Sequence, residues 1–98
     1  MKKIKFLQSA DGTRLVKLRS VRSVRLQEHS GNGFVASRIV ASLKGDADPV
    51  TLAGYAAIEG TPEAANLPIQ ARADMDKLLH LLNGGRLRKG EQWPAREV

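Results

Sequence analysis

Cysteine is absent from the 98 residues, which excludes disulfides, thiolate zinc sites and cysteine nucleophiles. Aromatic residues are few: Phe6, Phe34, Tyr55 and Trp93 complete the set, so a core must come mainly from Val, Leu, Ile and Ala. No apolar run approaches the roughly 18 residues of a membrane span. The opening "MKKIKFLQSADG" has the cationic flank of a secretion signal, but Gln8, Ser9 and Asp11 interrupt what would be its apolar centre. The expectation is a soluble cytoplasmic protein. A chain of this length makes one modest domain, burying about 60–70% of its unfolded surface.

Charge is present and unevenly placed. Residues 1–44 hold ten Lys/Arg against two acids, residues 45–83 two against six, and residues 84–98 four against two. A cationic first half and a net charge of +6 point to an anionic partner or a solvated basic face.

The densest stretch, "RLVKLRSVRSVRLQEH" (14–29), carries five cations and six apolar residues. Leu15, Leu18, Val21 and Val24 recur every three residues, so on a helix the stripe would drift by about 60° at each step. As strands the fit is cleaner. Val16 and Leu18 share a face opposite Lys17 and Arg19, and Val24 and Leu26 share a face opposite Arg25 and Gln27, with a bend at residues 20–22.

The same alternation extends both ways. "KIKFL" (3–7) sets Ile4 and Phe6 against Lys3 and Lys5. Asp11-Gly12 and "SGNG" (30–33) are turn signals, because Asn and Gly tolerate positive φ. "FVASRIVASLK" (34–44) places Val35, Ile39, Ala41 and Leu43 on one face and Phe34, Ala36, Arg38 and Val40 on the other. After the loop "GDADP", "VTLAGYAAI" (50–58) reads as a fifth strand, Val50 and Leu52 inward, Thr51 and Tyr55 outward.

Thr61 as N-cap, Pro62 and Glu63 open a helix. Leu67-Pro68 predicts that it stops after about one turn, since the residue before proline resists the α conformation. "RADMDKLLHLLNGG" is the main helix, with Ala71, Met75, Leu78, Leu79 and Leu82 as its stripe and Asn83-Gly84 as its close. The expected architecture is α+β: a five-stranded antiparallel β-meander with a C-terminal amphipathic helix packed on one face. Residues 1–83 form the domain, and 84–98 a loosely ordered basic and polar tail whose Trp93 can dock onto that domain.

The order of parts resembles small bacterial and phage-borne domains of the swarming-motility (FlbD-like) type. "KFL", Asp11-Gly12, the run Val16, Leu18, Val21 and Val24, the hairpin strands and "DMDKLLHLL" carry the likeness over residues 4–82. That family is shorter and lacks a "GTPEAANLP" insertion. The resemblance implies a β-rich interaction domain and supplies no catalytic residue.

Strand parity gathers Lys3, Lys5, Lys17, Arg19, Arg25 and Arg38 on the face away from the helix, with Phe34 and Tyr55 among them. Cations that follow a phosphate backbone, beside aromatics on which bases stack, are what single-strand binders place on open sheets. Two other readings compete. An uncovered face must be polar, and Lys or Arg discourages edge pairing; alternatively, Phe34, Leu15 and Val40 make a homodimer contact. No RNP, KH, zinc-finger or helix-turn-helix pattern favours nucleic acid.

Catalytic equipment is thin. Asp76 and His80 sit one helical turn apart, but two ligands hold no metal and the pair reads as a solvated i,i+4 contact. "GDADP" lacks the further oxygens and terminal Glu of a calcium loop. Ser9, Ser30 and the two histidines have no triad spacing, and "GNG" precedes no helix that would bind phosphate. The sequence thus predicts a non-catalytic binding module without cofactor, metal, small-molecule substrate or membrane. Protein–protein interaction or self-association is the leading reading, and binding of an RNA or DNA backbone the alternative.

Overall fold

The cationic stretch folds as strand, turn and strand. In the computed structural model, which describes residues 5–88 and Trp93, Phe6–Gln8 (β1) and Leu15–Lys17 (β2) form an antiparallel hairpin. Asp11-Gly12 turns it: Gly12 has φ +76°, and the Asp11 carboxylate accepts from the Ser9 hydroxyl (2.6 Å), the Thr13 N–H (3.1 Å) and the Thr13 hydroxyl (2.8 Å). Three donors hold the Asp11 carboxyl down at about 2, the Ser9 hydroxyl contributing most.

Leu18–Ser20 make one 3-10 turn, and Val21–Gly31 (β3), Phe34–Leu43 (β4) and Val50–Ile58 (β5) follow as a three-stranded antiparallel sheet in the order β3-β4-β5. Asn32 (φ +52°) and Gly33 (φ +86°) close the β3–β4 hairpin between the paired Gly31 and Phe34, a two-residue loop with both φ positive that matches strand twist.

The five strands therefore divide into two sheets and do not form one meander. The 3-10 turn is the cause. It breaks the ladder between β2 and β3, and its ends are fixed: Leu18 N–H donates to Lys5 O (3.0 Å) and Lys44 N–H to Ser20 O (2.9 Å). The hairpin folds back over one end of the larger sheet, where Ala10 N–H donates to Thr51 O at the start of β5 (2.9 Å). Leu7 and Val16, opposite one another, enter the core, and Phe6 is exposed. This reverses the expected parity of the first strand. Ile4 and Lys3 lie outside the described residues.

One helix, Pro62–Leu82 (α1), covers the rest of the inner face. Thr61 caps it as predicted, its hydroxyl accepting from Ala64 N–H (3.3 Å). The break expected at Leu67-Pro68 does not occur. Proline removes one i→i−4 bond at a cost of about 3 kcal/mol, but Pro68 lies on the exposed side while Leu67 and Ala71 beside it are buried. Burial of such side chains, worth roughly 1.5–3 kcal/mol for each large one, offsets the loss. The stripe is shifted accordingly: Leu67, Ala71, Asp74, Leu78 and Leu81 are buried, and Leu79, expected inside, is 41% exposed.

The core joins both sheets to the helix through Leu7, Val16, Ile39, Ala41, Leu43, Leu52, Ala53 and Leu78. Beyond the helix, Leu87 is buried, and the Trp93 indole N–H donates to Asp74 O (2.7 Å) while its ring packs on the core. The remaining residues of the expected tail, 89–92 and 94–98, lie outside the described ones. No helix is long and apolar enough to cross a membrane among the described residues.

Candidate interaction surface

Strand pairing defines the outer face of the larger sheet row by row. Across β3, β4 and β5 run Gly31–Phe34–Ile58, His29–Ala36–Ala56, Gln27–Arg38–Gly54 and Arg25–Val40–Thr51. The alternation in 34–43 follows the prediction at Ile39, Ala41 and Leu43, buried toward the helix, and at Phe34 and Arg38, which are exposed. It fails at Val40: expected outside as part of a homodimer contact with Phe34 and Leu15, this residue is 4% exposed and offers no contact surface. Period-2 patterning is decisive here because β4 is central, with one face covered and one open.

Two regions make up this face. Phe34, 47% exposed, and Ile58, 69% exposed, are direct cross-strand neighbours. Ala36, Ala56 and Gly54 continue from them as a low, apolar floor. Arg25, Gln27, His29 and Arg38 line the β3 side, where the Arg38 guanidinium donates to Gln27 Oε1 (3.1 Å) across the pair. No carboxylate projects from these rows, and Glu28 borders them at the β3 edge beside Gln27, His29 and Arg38.

The eight side chains singled out from the sequence do not converge. Phe34, Arg25 and Arg38 share the outer face. Lys5, Lys17 and Arg19 belong to the small hairpin and the 3-10 turn, where they rim a cleft of about 580 Å³ floored by Phe6, Leu18 and Leu82. Folding back of the hairpin carries them off the larger sheet. Lys3 lies outside the described residues.

Tyr55 is on the opposite face from that expected. The β4–β5 register shifts by one between Ile39, paired with Ala53, and Val40, paired with Thr51. This bulge adds Leu52 to β5 and inverts the parity of everything after it. Tyr55 therefore pairs with Ser37 and points to the helix, where its hydroxyl donates to the Asp74 carboxylate. Burial first, and then the neighbouring carboxylate, push the Tyr55 hydroxyl well above its usual range.

Gly54, Ala56 and Ile58 were not among the candidate residues. The signal was present: β5 is nine residues long and contains no charged side chain. Among the described residues no three His, Asp or Glu side chains converge to hold a metal ion. Neither a family model, nor a curated protein, nor a solved structure matches this chain.

Proposed function

We propose that the chain is a small non-catalytic binding module that self-associates through the β4–β5 side of its open sheet. The carrying observation is the uncharged edge strand β5, whose outer residues Gly54, Ala56 and Ile58 are exposed in a row, with Phe34 beside Ile58 at its end. Single exposed apolar residues are ordinary on protein surfaces, whereas a contiguous patch extended by Ala36, Ala56 and Gly54 is characteristic of an interface. Light scattering after size exclusion at rising load tests this: the mean mass should climb from monomer toward dimer, and a constant monomer mass would contradict it.

Binding of a nucleic-acid backbone is the second reading, favoured by Arg25 and Arg38 on a face whose rows bear no carboxylate. It is the weaker one. Relocation of Lys5, Lys17 and Arg19 to the hairpin and of Tyr55 to the helix side leaves that face two arginines and one aromatic ring. Few phosphates would be neutralised there, and affinity for a backbone rises with the number neutralised.

A further inference from the structure

The larger sheet has two edges, β3 and β5, and they are built differently. β3 carries Arg22, Arg25 and Glu28, the charged side chains that keep an exposed edge from pairing. β5, "VTLAGYAAI", carries none in a chain of net charge +6. An edge strand of nine residues without charge or proline is a template for another strand.

The free main-chain groups on this edge can be identified. Glu59 N–H donates to Gly33 O (2.8 Å), so Glu59 faces β4. By antiparallel alternation Ala57, Tyr55 and Ala53 also bond to β4, while Ile58, Ala56 and Gly54 direct their N–H and C=O groups outward. Two of the outward carbonyls have partners: Ile58 O accepts from Thr61 N–H (3.2 Å), and Thr51 O from Ala10 N–H (2.9 Å). Both groups of Gly54 and of Ala56 have no backbone partner among the described residues.

We infer that a second copy of this chain is the occupant of this edge, its β5 pairing antiparallel with β5 of the first to join two three-stranded sheets into one of six. The inference rests on the proposed self-association and gives its mode. An antiparallel two-fold at Tyr55 pairs Gly54 with Ala56 of the second copy, and Ala56 with Gly54. All four free groups are then used in two reciprocal exchanges. Charge compatibility singles out this edge. β5 against β5 opposes no charged side chains, whereas β3 against β3 would carry Arg22, Arg25 and Glu28 of both copies to the junction. The pairing also makes the two outer faces continuous, with Ala56, Gly54 and Ile58 of each copy flanking the junction.

Sedimentation velocity over a range of concentrations, on the full chain and on three variants, tests the mode. Ala56→Pro removes an N–H that the monomer does not use, and proline is accepted at such edge positions. Ala56→Lys puts a charge on the edge and serves if the proline variant does not fold. Phe34→Glu alters the outer face two strands from the junction. The expected result is a wild-type dimer at high concentration, association weakened at least tenfold in both Ala56 variants, and dimerisation retained in Phe34→Glu. Dimers that survive at Ala56 but dissolve in Phe34→Glu would mean face-to-face stacking, overturning strand pairing while leaving self-association standing. Dissociation in all three variants would also overturn pairing, because the edge contact excludes Phe34. A wild-type chain monomeric at every concentration would overturn both.

Discussion

The Tyr55 hydroxyl donates to the carboxylate of Asp74, tying the middle of β5 to the middle of α1 across the core. Asp74 is 2% exposed, and its backbone oxygen also accepts from the Trp93 indole. A carboxylate so placed depends on its donors, because a buried acceptor that loses a partner retains its desolvation cost.

Tyr55→Phe should therefore lower stability by about 1–3 kcal/mol at neutral pH, read from urea unfolding. The folded-state ionisation of Tyr55 is raised above its ordinary value of 10.0, so the contribution of the hydroxyl is complete below that pH and is lost as pH rises beyond it. The gap between wild type and Tyr55→Phe should narrow above pH 10. A gap that stays constant there would contradict the bond.

Pro68 interrupts the hydrogen bonding of a continuous helix while facing solvent. Pro68→Ala should stabilise the protein, by on the order of 1–3 kcal/mol, through restoration of the bond to Ala64 O. Thermal unfolding checks this; a lower midpoint would mean that the ring makes contacts that matter.

At the first hairpin, Asp11 is held ionised by Ser9 and Thr13, with its carboxyl lowered from 3.8 to about 2. A lowered value contributes stability above the unfolded value and loses it as pH falls through the folded one. Wild type should exceed Asp11→Asn in stability at pH 5, and the difference should shrink between about pH 4 and pH 2. A difference independent of pH over that window would remove the carboxylate from the turn's support.

Binding of a labelled single-stranded oligonucleotide at low and high salt measures what Arg25 and Arg38 are worth to an anionic partner. With two fixed cations on the face, the log–log salt slope should be shallow, about −1.5 for single strands. The double charge reversal Arg25→Glu, Arg38→Glu should abolish it. A slope steeper than about −3 would transfer the leading function to nucleic acid, with the hairpin cations recruited as well.

Legibility of the fold followed burial. Residues 34–43 showed their two faces because the strand is central and half covered, and alternation is strongest under those conditions. The cap at Thr61 and the loop at Asn32-Gly33 were equally readable, as local chemistry fixes both. Three errors came from events with no local signature. The bulge at Leu52 inverted Tyr55, the 3-10 turn at Leu18–Ser20 separated the hairpin from the sheet, and tertiary burial of Leu67 carried the helix through Pro68. The dispersal of the expected basic face is a direct result of the first two. Asp74 offered a clue in retrospect. It lies at i+3 from Ala71 and i−4 from Leu78, in line with the buried stripe, and a carboxylate there needs a donor from across the core.

Amide hydrogen exchange at Gly54 and Ala56, followed residue by residue in dilute and in concentrated samples, tests the β5 edge most directly. Self-association through that edge predicts fast exchange at both amides when dilute and protection when concentrated, with Tyr55 and Ala57, bonded to β4, protected throughout. Exchange at Gly54 and Ala56 that stays fast at every concentration would contradict the account.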